Sequence, residues 1–188
     1  MFPPVPYLEW IEGRPAAARY DLGSSALGDA GAPSSDGVVP SALAGSPPAP
    51  EGATPREQVA AEYGVDPERV LVTAGATHAN LLVAAAVVGL ATGDDRAFDA
   101  PYEPPETVPQ VLVEKPGYQP LVATPGAMPA RVDRFLRPGD AEHRLDPGRV
   151  AAAAEGDLAL VTVTNRHNPS GRLADRETLA ETARVAAD

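Results

Sequence analysis

The stretch Leu158-Ala159-Leu160-Val161-Thr162-Val163-Thr164, followed directly by Asn165-Arg166-His167-Asn168-Pro169-Ser170-Gly171, decides the fold of this 188-residue chain. The first seven residues are apolar on both faces, a pattern typical of a strand inside a parallel sheet. The next seven are mostly turn-forming and amide residues. Because ligands of open α/β sheets lie beyond the carboxyl ends of the strands, this loop is the first candidate for a functional site.

Similar patterns recur on the N-terminal side of this stretch. The sequence predicts further strands at residues 69–73, 111–114 and 132–136. It predicts helices at residues 54–64, 78–90, 118–123, 146–154 and 175–187, and the helix at 78–90 is expected to be buried. Strands that alternate with helices indicate an α/β fold with a mostly parallel sheet and helices on both faces.

Proline placement separates the N-terminal part from the rest. Ten of the 22 prolines lie in the first 55 residues, so residues 1–53 are predicted to be an extended arm and loop. Residues 54–188 form the predicted domain. Within it, Thr92–Pro109 carries five acidic residues and four prolines and is predicted to be a surface loop.

The composition excludes several classes of protein. A length of 188 residues suits one sizeable core, and a formal net charge of −11 disfavours binding to nucleic acid. There is no cysteine, so no disulfide or thiolate chemistry is expected. The chain starts without a secretory signal, and its longest apolar run, Leu81–Ala91, is too short to span a membrane. A cytoplasmic location is expected.

The charge also carries information about the environment. Lys115 is the single lysine, and the other 14 basic residues are arginines. An excess of acid with arginine in place of lysine keeps a protein hydrated in concentrated salt, where charge repulsion is screened. This favours a halophilic cytoplasm, and an acidic protein from a high-GC genome is the alternative.

Three loops after predicted strands carry the candidate site residues. Gly75, Ala76 and Thr77 open a helix directly after a strand, where free amides and the helix dipole favour an anion; the alternative is a simple tight cap. Tyr118 could stack on a planar ligand or could be a core aromatic. Lys115, flanked by Glu114, is predicted to be an exposed ion-pairing residue.

Together these loops resemble the class I/II, fold type I aminotransferases that depend on pyridoxal 5′-phosphate. The resemblance rests on Val72–Thr77, Val113–Tyr118 and Thr164–Gly171, of which the last is close to the family motif N-P-[TS]-G. It runs from about Asp21 to the end and concerns only the N-terminal portion of such an enzyme. It implies part of the large domain of the aspartate-aminotransferase-like fold.

The resemblance also implies roles for individual residues. Gly75, Ala76 and Thr77 match the turn that holds the cofactor phosphate, and Tyr118 matches the aromatic residue that stacks on the pyridine ring. Asn168 matches the asparagine that donates to the phenolic oxygen of that ring, and it also adjoins the substrate. Gly23 lies where the N-terminal segment of the family closes over the substrate carboxylate.

No catalytic residue is identified in this chain. The family needs a Schiff-base lysine, an aspartate at the pyridinium nitrogen and an arginine for the substrate carboxylate, and all three are expected beyond residue 188 of a full-length member. Lys115 matches no catalytic position. A full-length homodimer would transfer an amino group between an amino acid and a 2-oxo acid, and the isolated chain is expected to be inactive. The alternatives are a decarboxylase or lyase with the same cofactor, or a non-catalytic remnant or interaction module.

The remaining candidates are weaker. Scattered histidines at positions 78, 143 and 167 do not indicate a metal site, although His167 adjoins the asparagine motif. Asp94, Asp95 and Asp99 are predicted to be a solvated loop, and the arginines at positions 166 and 172 are predicted to form surface ion pairs. No metal is expected.

Overall fold

The computed structural model describes residues 4–17, 19, 52–93 and 107–187. These residues fall into two compact units, one within Tyr7–Val72 and the other within Met1–Pro6 and Thr73–Asp188. The predicted substrate residue Gly23 and the acidic positions Asp94, Asp95 and Asp99 lie outside the described residues, as does most of the predicted loop 92–109.

Three short helices precede residue 73 in the chain. These are α1 (Pro6–Ile11), α2 (Arg14–Ala17) and α3 (Pro55–Tyr63). Residues 1–53 are predicted to be an extended arm and loop, and helices α1 and α2 correct this prediction for residues 6–11 and 14–17.

Helix α3 confirms the helix predicted at 54–64. Thr54 Oγ1 accepts from the Glu57 amide, and Glu57 Oε2 accepts from the Thr54 amide at 2.7 Å, which completes a capping box. The bonds that the Thr54 amide and the Thr54 hydroxyl donate to the Glu57 carboxylate hold the pKa of this carboxyl below its ordinary value. Gly64 ends the helix at φ 62°, a conformation that glycine adopts at little cost.

The run Arg69–Thr73 is not a strand, which corrects the sequence prediction. Pro67–Arg69 forms one turn of 3-10 helix, and the following residues belong to no helix or strand. The side chains of Leu71 and Val72 are 74% and 57% exposed. β-branched residues favour a strand only where a neighbouring strand pairs with them, and no described strand pairs with this run.

The second unit alternates helices and strands. Its elements are α4 (Ala76–Thr92), β1 (Gln110–Lys115), α5 (Pro120–Gly126), β2 (Arg131–Leu136), α6 (Pro147–Ala153), β3 (Leu158–Thr162) and α7 (Arg176–Ala187). The sheet order is β2-β1-β3 and both pairings are parallel. The predicted α/β class, with its mostly parallel sheet, is therefore confirmed.

Two apolar clusters lie on opposite faces of the sheet. Successive residues of a strand point to opposite faces, so Val111 and Val113 of β1 pack with α4 and α5, while Leu112 packs on the other side. The residues of the first cluster are Val88, Val111, Val113 and Leu121, and those of the second are Leu112, Phe135, Leu145 and Val150. Helices therefore cover both faces, as predicted.

Helix α4 is less buried than the sequence predicts. Ala84 and Val88 are buried in it, whereas Leu82, Val83 and Leu90 are exposed, the last by 83%. One face of this apolar helix packs on the sheet, and the described residues leave the other face open to solvent.

Helix α5 begins two residues later than predicted, at Pro120, because a proline suits the first turn of a helix. Helix α6 starts after Asp146, whose side chain accepts from the Gly148 amide at 2.9 Å. Strand β3 stops at Thr162 instead of Thr164, and the reason for this early end lies in the candidate site.

Candidate functional site

The carboxyl ends of the three parallel strands meet at one edge of the sheet. Residues 116–118 follow β1, Arg137 follows β2, and residues 163–171 follow β3. Side-chain hydrogen bonds join these three segments, so the edge forms one connected surface.

A buried carboxylate forms the centre of these connections. Glu114 Oε2 accepts from Arg137 Nη1 at 2.6 Å, and both side chains are buried, at 0% and 1% exposure. Glu114 Oε1 accepts from the Thr164 amide at 2.8 Å and from the Thr164 hydroxyl. Because the Thr164 amide bonds to a side chain, it does not continue the sheet ladder, and β3 ends early.

Arg137 is held at several atoms. Its amide donates to the Lys115 carbonyl at 2.8 Å and its Nε donates to the His143 carbonyl at 2.9 Å. Its Nη2 is buried and has no hydrogen-bond partner among the described residues. The neighbouring Arg134 donates to the Val113 carbonyl at 3.2 Å, and burial lowers the pKa of its guanidinium.

His167 joins the loop after β3 to the loop after β1. The side chain is 1% exposed, and its Nε2 lies 3.0 Å from the Pro116 carbonyl oxygen. Since a carbonyl can only accept, Nε2 carries the proton. Nδ1 lies 2.7 Å from Ser170 Oγ within the same loop. His167 is therefore a buried connection between the two loops.

Asn165 and Asn168 have different roles in the loop after β3. Asn165 closes the loop, because its Oδ1 accepts from the Ala174 amide at 2.9 Å and its Nδ2 donates to the Ala174 carbonyl at 3.2 Å. Asn168 is exposed, and its backbone amide donates to Thr164 Oγ1 at 2.9 Å. The loop is thus fixed at its backbone and presents Asn168 at the surface.

Gly75, Ala76 and Thr77 form the exposed start of α4. Gly75 is the N-cap with φ 96°, and no side chain caps the helix. The first amides of a helix lack partners within it, so those of Ala76, Thr77 and His78 are available to an anion.

Lys115 is the last residue of β1 and Tyr118 lies in the loop after it, and the two side chains differ in exposure. Tyr118 is half-buried and packs against the cluster that contains Val111 and Leu121. Lys115 is exposed, as predicted, but the adjacent Glu114 is not its ion-pairing partner. Glu114 pairs with Arg137 instead, and Lys115 points to the opposite face of the sheet because successive strand residues alternate between faces.

Two arginines near this edge share one carboxylate. Arg172 Nη1 and Arg144 Nη2 lie 3.0 Å and 3.1 Å from Glu142 Oε2. The hydrogen bond from Arg144 and the charge of Arg172 lower the pKa of the Glu142 carboxyl. Arg172 therefore forms the surface ion pair that the sequence suggests, and Arg166 is exposed.

An apolar groove lies away from these loops. It has a volume of about 340 Å³ and lies between β3 and α7, where Leu160, Val163, Leu179 and Ala183 are among the lining residues. None of the candidate cofactor residues lines it. The candidate site is an exposed loop surface and not this groove.

The cluster of Glu114, Arg137 and Thr164 is not predicted from the sequence. One signal was available, because Glu114 ends an otherwise apolar strand and a buried carboxylate requires a partner. Nothing in the sequence identifies that partner, since Arg137 and Thr164 lie 23 and 50 residues further along the chain.

Comparison with known proteins identifies the fold. No family model and no curated protein matches the sequence. Solved structures do match, among them a PLP-dependent aminotransferase from Streptococcus suis, at 26% identity and a TM-score of 0.56. A mutant of Thermus thermophilus aspartate aminotransferase matches at 22% identity and a TM-score of 0.57, and Pyrococcus furiosus alanine aminotransferase at 22% and 0.53.

Each match covers 70% of this chain, whereas the chain spans only 31%, 33% and 30% of these three structures. None of the described helices has the length and apolar character needed to cross a membrane. The matches to solved structures show that the chain has the fold of part of a pyridoxal-phosphate-dependent aminotransferase, which confirms the resemblance found in the sequence.

Proposed function

We propose that this chain binds pyridoxal 5′-phosphate at the carboxyl edge of its sheet and belongs functionally to an aminotransferase. The observation that supports this proposal is the connection of the loop after β3 to the end of β1 through Thr164 and to the loop after β1 through His167, because these loops contain Asn168 and Tyr118. The likeness to solved aminotransferases supports the choice of ligand.

The residues present suit the chemical groups of this cofactor. A phosphate dianion is attracted by the free amides and positive dipole at the start of α4, where Ala76 and Thr77 are exposed. The exposed Asn168 provides an amide donor for the phenolic oxygen, and Tyr118 provides an aromatic face. When bound, the cofactor supplies an electron sink for amino-acid chemistry.

The work of this chain is then binding and orientation. The amides of Ala76, Thr77 and His78 hold the phosphate, and Asn168 fixes the ring by one hydrogen bond. The buried His167 keeps the loop after β3 against the Pro116 carbonyl, so the ring-binding residues hold their relative positions. No proton-transfer role is assigned to Lys115, which is exposed at the end of β1.

We extend the proposal to the reaction and the environment. The substrates are an amino acid and a 2-oxo acid, Gly23 helps to bind the substrate, and the working enzyme is a homodimer. This chain alone lacks turnover, because its single lysine does not match the Schiff-base position. Residues 1–53 act as an arm and residues 54–188 as the cofactor-binding part. The acidic composition suits a salt-rich cytoplasm.

Calorimetric titration tests the binding. Pyridoxamine 5′-phosphate is the probe, because it lacks the aldehyde that reacts with any lysine or amino terminus. We expect saturable binding by the wild type and a loss of about tenfold or more in Asn168→Ala, the cost of one hydrogen bond to a charged acceptor. Gln58→Ala, which removes an amide side chain on α3, is the control, and Lys115→Ala is also expected to bind normally.

Two results would contradict the proposal. One is the absence of saturable binding by the wild type, which would favour an interaction module without a cofactor. The other is equal binding of pyridoxamine phosphate and of pyridoxine, which has no phosphate, since the proposed site depends on the amides of α4.

A further inference from the structure

The strongest unassigned feature is the hydrogen-bonded chain that runs from Arg137 through Glu114 and Thr164 to Asn168. It begins at the end of β2, crosses the end of β1 and finishes in the loop after β3. Glu114 is 23 residues from Arg137 and 50 residues from Thr164 in the sequence, whereas Thr164 and Asn168 are four residues apart in one loop. Local turn chemistry therefore accounts only for the last link and not for the connection of the loop to β1 and β2.

The Thr164 hydroxyl is the link between the buried part and the exposed loop. It donates to Glu114 Oε1 and accepts from the Asn168 amide, at 2.9 Å from Asn168 N. A hydroxyl has one proton and can donate and accept at once, so this arrangement uses both capacities. The Glu114 carboxylate sets the orientation of the Thr164 hydroxyl proton. In this orientation a lone pair of the hydroxyl oxygen faces the Asn168 amide.

Glu114 can set this orientation because it is itself fixed. Its carboxylate is fully buried and receives donors from Arg137 Nη1, the Thr164 amide and the Thr164 hydroxyl. Charge-assisted hydrogen bonds are roughly twice as strong as neutral ones, so the carboxylate is held more rigidly than an amide would be. Through the Thr164 hydroxyl, the buried carboxylate therefore fixes the position of the Asn168 backbone.

We propose that Glu114, with Arg137, is a positioning residue that acts on cofactor binding through Thr164 and the backbone of Asn168. This inference rests on the proposed function, because Asn168 matters to the ligand only if the site binds one. Neither Glu114 nor Arg137 touches the ligand. They hold the backbone amide of Asn168 in place. The Asn168 side chain can then bind the pyridine ring of the ligand without the entropic cost of ordering the loop.

The test replaces the Thr164 hydroxyl by a methyl group in Thr164→Val and retains it in Thr164→Ser. We expect Thr164→Val to weaken binding of pyridoxamine 5′-phosphate about fivefold to tenfold and to speed hydrogen exchange at the Asn168 amide. Thr164→Ser is expected to keep both properties near those of the wild type. Thr182→Val is the control, because it removes a threonine hydroxyl that donates to a backbone carbonyl, Thr178 O, at 2.8 Å within α7, outside the proposed site.

A double-variant cycle separates positioning from general loss of stability. If Thr164 acts through Asn168, adding Thr164→Val to Asn168→Ala produces no further loss of affinity. Full additivity of the two losses would overturn the inference, and so would normal binding or unchanged Asn168 exchange in Thr164→Val. Absence of binding by the wild type is a different result, which removes the proposed function and this inference with it.

Discussion

Glu114 and Arg137 form a buried ion pair, with 2.6 Å between Glu114 Oε2 and Arg137 Nη1. The pair ties the end of β1 to the segment after β2, and Glu114 also accepts two bonds from Thr164 after β3. The carboxyl edge of the sheet therefore depends on one charged contact. This arrangement has consequences for both stability and ligand binding.

The first prediction concerns the stability of this contact. Arg137→Met leaves the Glu114 carboxylate buried without its counter-charge, and we expect the free energy of unfolding to fall by about 3–5 kcal/mol. The double variant Glu114→Gln/Arg137→Met carries no buried charge and keeps an acceptor for Thr164, so it is expected to recover much of that loss. Urea unfolding at neutral pH measures both. A single variant within 1 kcal/mol of the wild type, on the order of one ordinary hydrogen bond, would contradict this reading.

A second prediction compares two glycines. A Cβ at Gly117 would lie 2.7 Å from the Glu114 carbonyl oxygen, whereas a Cβ at Gly89 in α4 would meet no atom within 4 Å. We expect Gly117→Ala to destabilise the protein by about 1–3 kcal/mol, as overpacking does. Gly89→Ala is expected to stabilise it by about 0.5–1 kcal/mol, because alanine favours the helix.

Thermal or urea unfolding of the two variants checks this prediction. Gly89→Ala also serves as the control for the effect of alanine on the unfolded chain. If the two variants moved stability in the same direction, the close approach of Gly117 to Glu114 would not be the cause.

The third prediction concerns the acid sensitivity of α7. Asp175 Oδ1 accepts from the Thr178 amide at 2.7 Å, and this bond lowers the pKa of the Asp175 carboxyl. A carboxyl with a lowered pKa stabilises the folded state above its unfolded pKa, about 3.9, and loses that contribution as the pH falls through the folded value. Wild type should thus exceed Asp175→Ala in stability at pH 6, with the difference shrinking toward pH 2.

Urea midpoints at several pH values measure that difference. Asp175→Asn retains an acceptor without the titrating proton, so its advantage over Asp175→Ala should be nearly independent of pH. A gap between wild type and Asp175→Ala that widens in acid would have the wrong sign and would refute the assignment of this cap.

The fourth prediction concerns salt. A formal net charge of −11 on 188 residues produces repulsion in the folded state that added salt screens. If the acidic composition is an adaptation to salt, the melting temperature should rise between 0.05 M and 2 M KCl. Scanning calorimetry over this range tests the expectation, and a melting temperature that stays constant or falls would favour the alternative of genomic composition bias.

The elements that the sequence predicts well are those with local causes. Helices α3 and α6 each begin at a proline directly after an N-cap residue, Thr54 or Asp146. Both helices start where these two signals predict. Strands β1 and β2 lie within one residue of their predicted bounds at each end, because Pro and Gly flank both segments.

The errors have non-local causes. The run Arg69–Thr73 has the composition of a strand but no described partner, and β-propensity alone does not supply one. Strand β3 ends early because Glu114, 50 residues earlier, takes the Thr164 amide. The candidate cofactor residues were predicted from a motif resemblance, whereas the ion pair that braces them depends on strand pairing and was not predicted.

The most direct test of the central claim is amide chemical-shift mapping on the 15N-labelled chain during addition of pyridoxamine 5′-phosphate. The three loops, if they form one site, should shift together. We expect saturable changes at Ala76, Thr77, His78, Tyr118 and Asn168 that fit a single dissociation constant. Changes confined to one loop, changes that never saturate, or changes along the groove between β3 and α7 would contradict the account.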